Sequence, residues 1–231
     1  EVVEEFGVSP DRVHVVPGGV RAAGGPATGD LAEGGTGDPS ERQAAVHRLV
    51  GGDRYILALG TVEPRKDLPT LVAAFDRLAA EDPDLLLVIA GADGWGAHAL
   101  SERIAASPHA DRIRRLGWVE EADRAALLSH AHVYAFPSLY EGFGFPPLEA
   151  MQAGVPVVAT AVGSLPEVCG DAAELVAARE PDALADALSR AGDDADRRAE
   201  LVARGYANVA RFSWTAAAEQ FAGLLASLPG R

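Results

Sequence analysis

The chain has 231 residues, 48% hydrophobic and 23% charged, with 34 acidic against 20 basic side chains and a formal charge of −14. That length and composition support one large domain with a real core, and the charge argues against a broad nucleic-acid surface. The longest apolar run, Leu85 to Ala92, is far too short to span a bilayer; no basic segment followed by an apolar stretch opens the chain, so no secretory leader is expected; and one cysteine, Cys169, excludes an internal disulfide and fits a reducing, cytoplasmic setting.

In chain order, Val13 to Val16 reads as a short strand, followed by a Gly-rich stretch from Gly18 to Ser40 that lacks periodicity and is expected to be a loop. Ser40 is placed as the N-cap of a helix running to about Val50. From Tyr55 onward strands and helices alternate. Strands are expected at Tyr55–Leu59, Leu85–Ala90, Arg112–Leu116, Val133–Phe136, Val155–Ala159 and Glu174–Val176. Between them fall helices at Leu68–Ala80, after Gly96, at Glu121–Ser129 and from Pro146 to Gly154. Helices over Pro181–Ala191, Ala195–Arg211 and Trp214–Leu228 close the chain. Such alternation implies an α/β, Rossmann-like doubly wound parallel sheet covered on both faces. Ligands of that architecture bind beyond the carboxyl ends of the strands. Gly60 to Asp67, Gly91 to Gly96, Gly117 to Val119 and Ser138 to Gly144 all follow a predicted strand.

The segment from Glu141 to Glu149 carries the most information. Gly142, Phe143 and Gly144 form a loop that brings backbone close to a ligand. Proline at the first position of a helix is favoured, so Pro146 is expected to open one and Glu149 to lie in its first turn. The helix start then offers N–H groups to a phosphate. The two carboxylates accept hydrogen bonds only, which suits the hydroxyls of a ribose and a hexose. A strand-to-helix turn with Glu149 serving the helix dipole is the plainer alternative. A chain this acidic must hold an anionic ligand with local cations. Of its 20 basic residues only Lys66 is a lysine. Arg65 and Lys66 together at a strand end would neutralise a diphosphate. The plainer alternative for that pair is a solvated turn. For Trp118 it is a buried strand end. His98, His109, His130 and His132 lack metal-ligand spacing. Asp194 and Asp196 formally make a DxD pattern, but between two helices, where Asp caps.

The Glu141–Glu149 spacing, continued by Ala150-Met-Gln-Ala-Gly-Val-Pro-Val-Val-Ala159, resembles the E-x7-E signature of the group 1 retaining GT-B glycosyltransferases. Arg65 and Lys66 resemble that family's donor-phosphate motif, Gly91–Gly96 its glycine-containing loop, and Gly117–Val119 the segment whose backbone recognises the nucleobase. The resemblance implies the C-terminal, donor-binding domain of a GT-B fold. Residues 1–40 would be an interdomain lead-in and Gly-rich loop, and residues 41–231 the donor domain. It implies donor contacts from Arg65, Lys66, Gly91, Val119, Glu141, Gly142, Phe143, Gly144, Leu148 and Glu149, with Glu141, Arg65 and Lys66 catalytic. No metal and no cofactor is expected beyond a nucleoside-diphosphate sugar, with GDP-mannose favoured because Glu63-Pro-Arg-Lys66 looks most like mannosyltransferase members. The acceptor domain would lie in an N-terminal half outside this chain. The chain would be inactive alone, and any membrane association would come through that half or the acceptor. Competing readings are a non-catalytic nucleotide-sugar-binding domain, and GT-B relatives. Sugar-nucleotide epimerases lack the Glu141–Val158 run. Phosphorylases bring a pyridoxal-binding lysine, whereas Lys66 sits at the donor-phosphate motif.

Overall fold

A computed structural model describes residues 2–20 and 39–227. It divides into two compact units, one of residues 1–22 and 210–231, the other of residues 23–209.

The larger unit is the alternating one. Its elements are α2 (Pro39–Val50), β1 (Tyr55–Leu59), α3 (Leu68–Glu81), β2 (Leu86–Ala90), α4 (Ala97–Ala105) and β3 (Ile113–Gly117). Then follow α5 (Glu121–His130), β4 (Val133–Phe136), α6 (Phe145–Gln152), β5 (Val157–Thr160), α7 (Leu165–Cys169), β6 (Ala173–Val176), α8 (Pro181–Asp193) and α9 (Ala195–Val209). The six strands pair in parallel in the order β3-β2-β1-β4-β5-β6. This is the doubly wound sheet expected from the alternation. β1, β2, β4 and β5 are buried at every position, as strands sandwiched between helices must be. Helix α3 turns Leu71, Val72 and Phe75 into the core that also holds Ile56, Leu87 and Ile89. The winding reverses between β1 and β4. A crevice opens at such a switch point, beyond the carboxyl ends of the two strands.

Several expectations change in detail. Helix α2 begins at Pro39, so Ser40 lies inside its first turn and does not cap it. Val13–Val16 forms no strand: a 3₁₀ turn at Pro10–Arg12 leads into extended chain without sheet partners. Most of the Gly-rich stretch, 21–38, lies outside the described residues. Helix α7 is five residues, with Leu165, Val168 and Cys169 buried and one proline, too short to show helical periodicity. It buries Cys169, whose thiol burial pushes up to about 12, the reverse of a nucleophile's environment. Asp194 caps α9 as expected for an Asp between helices, its Oδ1 accepting from the N–H groups of Asp196 (3.1 Å) and Arg197 (3.0 Å).

The smaller unit holds α1 (Val2–Phe6) and α10 (Trp214–Ser227). Val20 N–H donates to the Phe212 carbonyl (3.0 Å), and the Gln220 amide to the Val15 carbonyl (3.2 Å). A Cβ on Gly19 would stand 2.2 Å from the Trp214 nitrogen, so only glycine fits there. No helix among the described residues is long and apolar enough to cross a membrane.

Candidate functional site

The loop after β1 carries the cations. Pro64, Arg65 and Lys66 form a separate 3₁₀ turn, one residue short of α3. Asp67 makes the reversal into α3 with φ 46°, a left-handed conformation that Asp tolerates better than most residues. Arg65 and Lys66 therefore sit on their own turn ahead of α3 and not in the helix. The turn aims the two side chains by itself.

The loop after β4 carries the acid. Glu141 Oε1 accepts from Lys66 Nζ (2.6 Å), Arg65 (2.9 Å) and Ser138 Oγ (2.8 Å). Among the described residues no donor meets Oε2. The Lys66 and Glu141 side chains are each only 12% exposed, and the ammonium also lies 4.4 Å from the Phe136 ring centre. An ion pair this sheltered is screened far less than a surface pair. The two loops are joined along the backbone as well, Leu139 N–H donating to the Arg65 carbonyl (2.7 Å). Residues 75 positions apart meet here because β1 and β4 are neighbours in the sheet.

Further residues hold the acid loop, and spacing alone did not single them out. Ser138 is fully buried, its carbonyl accepting from Thr160 Oγ1. Ser164 donates its hydroxyl to the carbonyls of Glu141 (3.1 Å) and Phe143 (2.6 Å). Gly163, at φ 53°, passes so near that a Cβ would lie 2.5 Å from the Glu141 carbonyl oxygen. A serine three residues before an acid is the one signal that the sequence offered. Ser164 is visible only once β5 is placed beside β4.

Helix α6 departs from its expected start. Phe145 is its first residue and Pro146 and Pro147 its second and third, so two of the first three helical positions bring no N–H. Gly144 takes φ 114° as the N-cap. Leu148 is fully buried, so its side chain belongs to the core. Glu149 is the fifth helical residue, in the second turn rather than the first. It pairs with Arg124 of α5, whose guanidinium burial would lower but Glu149 and Glu121 hold above its ordinary value. Arg124 is the partner that the sequence reading missed.

The neighbouring loops bear on the same end of the sheet. Gly91 has φ 152°, and a Cβ there would lie 2.0 Å from the Gly60 carbonyl oxygen. Its first need is thus the close approach of two loops. Trp118, against the plainer expectation of burial, is 67% exposed, and Val119 is half-buried.

The parallel sheet and its switch point, with a cation-and-carboxylate cluster there, define a doubly wound α/β domain. A family profile described as "Glycosyl transferases group 1" matches residues 39–208, and the chain belongs to that family. It is 38% identical over 161 residues to the O-antigen chain mannosyltransferase B of Escherichia coli, covering 69% of this chain and 42% of that protein. It is 32% identical over 234 residues to the MMP alpha-(1->4)-mannosyltransferase of Mycolicibacterium hassiacum, covering 95% of this chain and 49% of that one. The chain thus spans about half the length of these curated relatives. Its fold is similar to that of Anabaena HepE, solved in complex with UDP and glucose, with a TM-score of 0.74 and 23% identity over 83% of this chain and 53% of the other.

Proposed function

We propose that this chain is the donor-binding half of a retaining glycosyltransferase that moves a hexose from a nucleoside-diphosphate sugar to an acceptor. The observation that carries the proposal is the convergence of Arg65 and Lys66 on Glu141 at the β1/β4 switch point. As the anomeric C–O bond breaks, negative charge grows on the leaving diphosphate, where Arg65 and Lys66 stabilise it. Glu141 Oε2 faces the transferred sugar and favours its cationic transition state. Glu149, steadied by Arg124, accepts from the ribose hydroxyls, and the backbone at Val119 meets the base. Two fixed cations take the place that a metal ion holds in other transferases. Among the described residues no group of three or more His, Cys, Asp or Glu is arranged to hold one.

The mannosyltransferase relatives support a mannosyl donor, for which GDP-mannose is the candidate. Their roughly twofold greater length supports an acceptor-binding half beyond this chain, without which no sugar is transferred. The buried lone cysteine agrees with a cytoplasmic setting.

Calorimetric titration with GDP, UDP and ADP, with and without EDTA, tests the reading. GDP is expected to bind best and to bind equally in EDTA. Affinity for none of the three would overturn the proposal, and loss of binding in EDTA would overturn its metal-free part.

A further inference from the structure

The cation turn carries its own anions. Arg65 donates through Nε to Glu63 Oε2 (2.7 Å) while its NH1 donates to Glu141 (2.9 Å). Lys66 donates to the same Glu141 oxygen (2.6 Å). Two cations face two carboxylates, so the four side chains are neutral as a set. Glu141 is accounted for by the sugar that its second oxygen faces. Glu63 has no part in the donor contacts proposed above, yet the fold fixes it in place. Gly96 N–H donates to the Val62 carbonyl (3.1 Å), and a Cβ on Gly96 would stand 2.9 Å from the Glu63 carbonyl carbon. The β2–α4 loop thus clamps the backbone that presents the Glu63 carboxylate to Arg65.

A neutral grip treats two anions differently. A sugar nucleotide has each phosphate doubly esterified or bridged, whereas the freed nucleoside diphosphate ends in a terminal phosphate bearing about one more negative charge near neutral pH. A bare cation pair would hold the product more tightly than the donor. We propose that Glu63 is a resident counter-anion that sets donor-over-product selectivity, lowering affinity for the freed nucleoside diphosphate more than for the sugar nucleotide. This rests on the donor-site reading above.

The test compares wild type with Glu63→Gln and Glu63→Asp, each confirmed folded by circular dichroism, for binding of inorganic pyrophosphate, GDP and GDP-mannose. The Gln variant keeps an acceptor for Arg65 and loses the charge. It is expected to bind pyrophosphate and GDP about two- to five-fold more tightly, the range that a partly exposed charge supports. GDP-mannose should gain less, and the gain should shrink in high salt. The Asp variant should keep the wild-type ratio of GDP to GDP-mannose affinity. An unchanged or weaker affinity of Glu63→Gln for pyrophosphate and GDP would overturn the inference, as would an equal gain for all three. Pyrophosphate has neither base nor sugar, so its comparison stays readable if the wild type binds no nucleotide. That last result would instead sink the donor-site reading.

Discussion

Glu149 meets a guanidinium rather than a helix dipole. It lies in the second turn of α6 and pairs with Arg124 of α5. If its second role is to accept from ribose, Glu149→Ala should weaken GDP binding by roughly ten- to a hundred-fold, the value of a hydrogen bond to a charged group. It should also abolish any preference for GDP over its 2′,3′-dideoxy analogue. Calorimetry on both ligands checks this, and equal affinity of mutant and wild type would leave Glu149 a purely structural partner of Arg124. Gly91 gives a second prediction, of stability. Its φ of 152° and the 2.0 Å approach to the Gly60 carbonyl leave no room for a methyl group. Gly91→Ala is expected to cost about 2–4 kcal/mol, read as a lower urea midpoint.

At the scale of elements, the strands were legible because buried parallel strands read as short apolar runs, and β1 and β4 lie where the runs Tyr55–Leu59 and Val133–Phe136 put them. Helix α7 was not legible, since five residues hold too little periodicity. The site was half legible. Arg65, Lys66 and Glu141 stood out by residue type and position at strand ends, but their mutual pairing depends on which strands are neighbours. Ser164 and Arg124 have ordinary local surroundings and gain meaning only from distant elements, whereas Glu63 belongs to the Glu63–Lys66 run noted in the sequence and only its pairing with Arg65 had to come from the structure. The amino-terminal ends of the strands hold a second cluster that no motif announced. Arg54 bridges Asp82 (2.7 Å) and Asp193, and His132 Nε2 lies 3.0 Å from Asp193. Burial, aided by Arg54 and Arg198, lowers the His132 pKa from its ordinary value against the pull of Asp193. A histidine whose folded pKa is depressed contributes stability above its unfolded pKa of 6.5, and loses it as pH falls through the folded value. The urea midpoint should therefore drop as pH falls from about 7 towards 5, and His132→Gln should flatten that drop. An equally steep profile in the variant would move the cause elsewhere in the cluster.

At the scale of the whole molecule, α10 exposes Phe221 (56%) and Leu225 (54%) on the smaller unit, with Trp214 also exposed. On the proposed reading this apolar face is the contact for the acceptor-binding half. Replacing Phe221 and Leu225 by Ser should leave the isolated chain folded, with unchanged affinity for GDP. It should prevent the separately supplied N-terminal half of the enzyme from restoring transfer. An activity assay over a broad acceptor panel, with and without that half, checks both parts. Sustained transfer by this chain alone would show that its active site is complete. The smaller unit has a mechanical consequence too. It is made from two segments far apart in sequence, residues 1–22 and 210–231, and Val20 is bonded to Phe212 between them. Tension that pulls these two segments apart is carried first by that clasp and by the Gln220–Val15 bond. Until they rupture, the load bypasses the chain between Val20 and Phe212, in which the six strands of the sheet lie.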